Sequence, residues 1–314
     1  MSDFKSRTRL AVGLLVAVAG CTAKSDVSAI PMTIYAAGSL ARPLRAALDS
    51  IAATGGPRVL MEVMGSREML RAVTSLGKTP DIIVSADADE LEKEMIPAYA
   101  TTSTTFATNR IVLALSPKSP RAAAVTAANW ADVAGGGTLR IARADPGRAP
   151  LGYRTQIVWK LAESVLRRPG LAGKLATASP EALLRGNESE LAALLATGDA
   201  DAAWCYESLA KSLGMRYVPL GDHIDLGSEA DSLLYLRAVV RIAGLRPGDS
   251  VIVAGTPIRY AIAVITNGPD VISATVLRER LLDANSARVM RRAGLNVLDT
   301  ARVTTLATKL NLRQ

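Results

Sequence analysis

The chain of 314 residues is long enough for two lobes around a substantial buried core. Its 49% hydrophobic and 21% charged content excludes a disordered protein, and two cysteines, Cys21 and Cys205, exclude a disulfide-stapled fold. One histidine, His223, and 4% aromatic residues argue against a histidine metal cluster and against base stacking, so neither a cofactor nor a nucleic-acid partner is expected, and the net charge of +8 names no partner.

Lys5, Arg7 and Arg9 precede an apolar run from Leu10 to Gly20, the pattern of a basic leader followed by a hydrophobic export segment. A membrane-spanning helix needs about twenty residues, so this run is too short to be one. It ends in Val18-Ala19-Gly20-Cys21, which resembles the lipobox of bacterial lipoproteins. That resemblance implies lipidation at Cys21 after removal of the leader, and hence an exported protein tethered to a membrane. Cys205 is then the remaining free thiol.

From residue 30 onward, short β-branched runs alternate with longer helical patterns, which reads as α/β. Met32 to Ala36 is a predicted strand, and Leu40, Leu44, Leu48 and Ile51 then share one helical face. Val59 to Val63 is the next strand, followed by a helix carrying Met69, Leu70, Val73 and Leu76 and closed by Gly77. Asp81 to Ser85 is a strand, and Asp87 opens an acid-rich helix start. Further strands are expected at Arg110–Leu115, Leu139–Ala142 and Ala202–Tyr206, with helices at Leu151–Leu166 and near Leu209. Leu233–Val240, Val251–Ala254 and Tyr260–Ile265 read as strands, and helices near Val276–Leu282 and Ala287–Ala293 follow.

At three junctions a strand ends in a small-residue turn that opens a helix: Ala36-Ala37-Gly38-Ser39, Met64-Gly65-Ser66, and Asp145-Pro146-Gly147-Arg148-Ala149-Pro150. Ser39 and Ser66 stand where helix N-caps belong, and Pro150 suits a first helical position. Each turn can merely cap its helix. Several helix N-termini converging at the carboxyl ends of strands would instead form an anion site.

The turns Ala36-Ala37-Gly38-Ser39-Leu40 and Gly65-Ser66, the run Thr79 to Asp87, Phe106 to Ala114, and Asp145-Pro146 through Gly152-Tyr153-Arg154 occur in that order. Gly198 to Tyr206, Pro257 to Val264, and Ala293-Gly294-Leu295 continue the set. Together they resemble the molybdate- and tungstate-binding proteins of ABC importers, within the type II periplasmic binding proteins. The likeness spans residues 31–300, and its specificity lies in the ordered set rather than in any single motif.

The resemblance implies a two-lobe α/β fold with mixed sheets, helices on both faces and two hinge crossings, near Ala107–Val112 and Thr256–Ala263. Residues 30–108 and 260–314 would form lobe I, residues 109–259 lobe II, and residues 1–21 the signal peptide and lipobox. It implies a non-catalytic monomeric receptor that hands a tetrahedral oxyanion to a membrane permease, with sulfate or another oxyanion, or a sensor lipoprotein, as alternatives. The anion donors carried over are the hydroxyls of Ser39, Ser66 and Tyr206 and the backbone N–H of Ala149, with Gly38, Arg148 and Glu207 as further candidates. The tungstate-type branch adds two carboxylates at positions that read Ala149 and Cys205 here. Glu207, two residues from Cys205, would regain the same strand face.

An uncharged donor set suits a fully deprotonated dianion and disfavours monohydrogen phosphate, whose proton needs an acceptor. Asp145 either supplies one or caps its own turn. Arg148 and Arg154 either pair with the anion or stay solvated and draw anions towards the cleft. Trp204 reads as core, Cys205 as a small buried hydrophobe, and His223 as part of a surface turn. Arg291, Arg292, Arg302 and Arg313 read as a solvated basic cluster.

Overall fold

The computed structural model describes residues 31–306; the expected leader, Cys21 and Arg313 fall outside them. The chain begins β1 (Met32–Ala37), α1 (Ala41–Ala52), β2 (Val59–Met64), α2 (Ser66–Thr74), β3 (Ile82–Ser85), α3 (Ala88–Met95) and β4 (Thr102–Asn109). It continues through β5 (Ile111–Leu115), α4 (Trp130–Gly135), β6 (Ile141–Ala144), α5 (Pro150–Val165), α6 (Leu171–Thr177) and β7 (Leu184–Arg185). Next come α7 (Glu188–Thr197), β8 (Ala202–Tyr206), α8 (Glu207–Ser212), β9 (Tyr217–Pro219), α9 (Ser232–Tyr235), β10 (Val239–Ala243) and β11 (Ser250–Ala254). The last elements are β12 (Ile258–Val264), α10 (Val271–Leu281), α11 (Ala284–Arg292) and β13 (Asn296–Thr305).

Two mixed sheets organise these elements. One runs β13-β4-β12-β3-β1-β2 and the other β7-β6-β8-β5-β9, while β10 and β11 form a separate antiparallel pair. In the first sheet β1 is parallel to β2 and β3, whereas β12 is antiparallel to β3 and β4. In the second, β6 is parallel to β8, and β5 is antiparallel to β8 and β9.

Strand alternation explains why helices lie on both faces. Ile34 and Ala36 of β1 join the core that holds Leu44 of α1, while Tyr35 between them joins Met69 of α2 and Leu91 of α3. The second sheet is packed with Trp204 between Trp130 and Trp159, each ring edge-on at 6.0 Å. Trp204 is thus core, and its Nε1 donates to Ser179 Oγ at 3.1 Å.

Several sequence expectations need correction. Leu76 lies past the end of α2 and is 67% exposed, because the helix stops at Thr74. Leu233–Tyr235 belong to the short helix α9 and not to a strand. β4 extends well before Phe106, and β13 was not anticipated; both are threonine-rich and lack a long apolar run. Neither Ser39 nor Ser66 caps a helix: Leu40 and Gly65 precede α1 and α2, with no side-chain cap at either start.

Candidate anion-binding site

Released from capping, both serines turn inward at the carboxyl ends of β1 and β2. Ser39 Oγ accepts from the Tyr260 hydroxyl of β12 at 3.0 Å, and Ser66 Oγ accepts from the Ala86 N–H at 2.9 Å. Each serine is used here as an acceptor, which leaves its own O–H as a donor. Asn109, at the end of β4, donates to Tyr260 Oη and to Ser208 Oγ, both at 2.7 Å. The Tyr260 ring meets Tyr206 of β8 edge-on at 5.9 Å.

Arg154 joins these two halves. It sits in the second turn of α5, only 2% exposed. Its Nη1 donates to the Ala86 carbonyl at 2.6 Å and to Tyr206 Oη at 2.9 Å, and its Nη2 lies 3.4 Å from Asp87 Oδ2. The other Asp87 oxygen accepts from the Glu90 N–H at 3.0 Å and caps α3, as the acid-rich start suggested. The Tyr153 hydroxyl donates to Asp87 Oδ2 as well. Ser66, Ala86, Arg154, Tyr206, Tyr260 and Ser39 therefore form one buried run of contacts between the two sheets. Arg154 is neither solvated nor a rim charge: its guanidinium is held above its usual pKa by Tyr206 and Asp87, against the cost of burial.

A second charged group appears where uncharged donors were expected. Glu188, the first residue of α7, is 1% exposed, and neither carboxyl oxygen accepts a well-formed hydrogen bond from the described residues. Burial pushes its carboxyl up to about 7, opposed by nearby backbone amides, that of Ser39 included, and by Arg154. Glu188 comes so close to Gly38 that a Cβ there would lie 2.5 Å from Oε2. In sequence Glu188 resembles an ordinary acidic first turn behind the Asn187 cap, which does accept from the Glu190 N–H. Only long-range packing reveals its position.

The remaining candidates are placed differently. The Ala149 N–H is donated to the Asp145 carbonyl at 2.9 Å, so it serves its own turn. Asp145 Oδ1 accepts from the Gly147 N–H at 2.7 Å, the turn-capping role. Arg148 is half-exposed and pairs with Glu68 of α2 at 2.9 Å, while its carbonyl accepts from the Glu68 N–H. Glu207 stands outside the network, accepting from the Tyr217 hydroxyl at 3.1 Å and pairing with Lys211 at 2.9 Å. Cys205 is buried and its thiol is pushed up to about 12, which leaves it an unreactive thiol. His223 is exposed beside Asp231.

Asp87 and Arg154 also border a cavity of about 250 Å³ whose wall includes Tyr153, Ile157, Val253 and Thr256. The Arg154 cation is paired there with Asp87.

Residues 32–296 match the sequence profile of bacterial extracellular solute-binding proteins. The chain belongs to that family. It is 33% identical over 266 residues to a solute-binding protein of Petrotoga mobilis, covering 84% of this chain and 82% of the relative. It is 35% identical over 257 residues, 80% of this chain and 78% of the relative, to a Haloferax volcanii protein provisionally named a molybdenum-binding protein of an ABC transporter. Among solved structures, the Azotobacter vinelandii periplasmic molybdate-binding protein superposes with a TM-score of 0.61 at 17% identity, covering 86% of this chain and all of that one. The Mycobacterium tuberculosis sulfate-binding protein gives 0.59 at 12% identity, covering 90% and 89%. This extracellular solute-binding protein therefore has the two-lobe α/β fold of periplasmic binding proteins.

Proposed function

We propose that the protein is a receptor of an ABC importer, held at the outer side of a membrane through lipidated Cys21, that captures molybdate or tungstate and presents it to a permease. Lobe I would comprise residues 30–108 and 260–314, and lobe II residues 109–259. The observation that carries the reading is the buried run from Ser39 through Tyr260, Tyr206 and Arg154 to Ser66, with four hydroxyls and one cation paired with Asp87. Hydroxyls and a partly offset guanidinium suit an oxyanion, and the Haloferax relative's name favours a metal oxyanion. Ser39, Ser66, Tyr206 and Arg154 are assigned as anion contacts. Ala149 would join them only if its turn releases the N–H. Sulfate is the alternative ligand, since a sulfate-binding protein shares the fold. No catalytic step is proposed.

Calorimetric titration of the purified mature protein with molybdate, tungstate, sulfate and phosphate is the test. Saturable one-to-one heat with molybdate or tungstate, and a much weaker response to sulfate, is expected. Binding of sulfate alone would replace the metal oxyanion by sulfate as the ligand.

A further inference from the structure

Among the described residues, the β10–β11 hairpin pairs with neither main sheet. Two strands alone are marginal in water, so its order depends on what its two ends touch. The base rests on α5, where Lys160 Nζ donates to the Val239 carbonyl at 2.6 Å and a Cβ on Gly255 would lie 2.9 Å from Ile157 Cγ2. The turn between the strands, residues 244–249, reaches instead to the first sheet, and Arg71 of α2 donates from Nε to the Leu245 carbonyl at 2.9 Å. The Leu245 side chain packs against the apolar cluster of Tyr35, Met69, Leu70 and Met95; the other described members of that cluster all come from the first sheet, its helices or the loops beside them. Between base and turn, Val251 and Val253 wall the cavity that Asp87 and Arg154 border. The hairpin is thus an arm from a helix of the second sheet to a helix of the first, alongside the anion site.

We propose that this arm is a clasp of the capture cycle: Leu245 and Arg71 meet only while the lobes are closed, and the bound anion leaves when they part. The inference rests on the oxyanion reading above and adds what sets the residence time. Opening would carry α5 and the base of the hairpin away from α2. The turn end is the weaker attachment, one half-buried leucine and one hydrogen bond, whereas the base is continuous with the chain on both sides. Arg71 Nη2 also donates to the Gly147 carbonyl of the Asp-Pro turn at 3.5 Å, so one side chain holds two segments arriving from the other half. Contacts present in only one of two states stabilise that state by their full strength and slow its escape.

The mature protein, Leu245→Ser and Arg71→Ala are each loaded with radiolabelled molybdate, and its loss is followed after addition of excess unlabelled molybdate. Dissociation is expected to be about fivefold to tenfold faster in each variant, the worth of a half-buried leucine or one hydrogen bond, with association changed less than about twofold. Thermal unfolding of the unloaded variants should stay near that of the native protein, because the clasp is open there. Native dissociation rates combined with earlier unfolding would mean that the arm is permanent packing, and would overturn the clasp. Hydrogen exchange on the native protein decides the matter even if neither variant folds. Saturating molybdate should slow exchange across residues 239–254 by about tenfold, since a two-stranded arm freed at its turn is poorly protected. Molybdate that binds and leaves this exchange unchanged would overturn the clasp alone. Absence of any saturable molybdate binding would overturn the oxyanion reading and the clasp with it.

Discussion

Tyr206 carries its hydroxyl to the centre of the buried network, where it accepts from Arg154 and packs edge-on against Tyr260. Burial holds its phenol well above the usual range, so it stays a neutral donor at any physiological pH. Tyr206→Phe keeps the ring and deletes the donor, and leaves Arg154 Nη1 with the Ala86 carbonyl as its remaining partner. An unmatched buried polar group costs about 1–3 kcal/mol, so molybdate affinity should fall roughly fivefold to a hundredfold with the fold intact. Calorimetry and far-ultraviolet dichroism on the variant check both halves, and undiminished affinity would remove Tyr206 from the site. Ser39 and Ser66 stand out in sequence because each follows a recognisable strand, whereas Tyr206 enters only through the family resemblance; the structure joins all three in one buried run of contacts. Arg154 stands in sequence with its role open between anion partner and solvated charge, and Glu188 is not singled out at all. Nothing local distinguishes an arginine in the second turn of α5, or an acid in the first turn of α7, from a solvated charge. Their burial is decided by partners in distant parts of the chain, Ala86 and Gly38.

At the scale of elements, the Gly-Ser turns owe their glycines to close approach between elements, not to an unusual backbone. Gly65 has φ −68°, which any residue adopts, but a Cβ there would lie 2.2 Å from the Arg148 carbonyl of the Asp-Pro turn. Backbone on both sides leaves little room to yield. Gly65→Ala should therefore weaken molybdate binding by about tenfold or more, as overpacking of about 1–3 kcal/mol predicts, while thermal unfolding of the unloaded protein changes little. The neighbouring Glu68–Arg148 pair offers the contrast. Both partners are about 40% exposed, so the pair contributes about 0–1 kcal/mol, and Glu68→Ala should cost less than about fivefold in affinity. Equal losses in the two variants would mean that the ion pair, and not backbone approach, holds this contact. The apolar elements β1, β2, β3, β8 and α5 were readable from periodicity to within a residue or two. β4 and β13 were missed in whole or part because paired threonine-rich strands carry no hydrophobic signature, and their place is set by the ladder between them.

For the whole molecule, the two passages between the sheets differ in length. On the return, residues 220–257 lead from β9 past the separate β10–β11 pair to β12, whereas on the outward path β4 ends at Asn109 and β5 begins at Ile111, so Arg110 alone separates the two sheets. Asn109 ties that crossing to the site through its hydrogen bond to Tyr260, which in turn reaches Ser39. Short crossings of this kind permit rigid-body closure with little internal rearrangement. The fold class and the order of its segments were visible in sequence, whereas the depth of closure was not. It depends on contacts such as Arg67 donating to the Pro146 carbonyl at 3.2 Å, between residues that no local pattern relates. If donors from both sheets are needed at once, the anion stabilises the compact arrangement over any open one. Small-angle scattering of the mature protein should accordingly show a smaller radius of gyration on saturation with molybdate, and a smaller decrease for Gly65→Ala, whose turn resists the final approach. An identical profile with and without bound anion would mean that the lobes do not close on their ligand. The site would then have to fill through a gap in an already closed molecule, with the cavity bordered by Asp87 and Arg154 as the place to look for it.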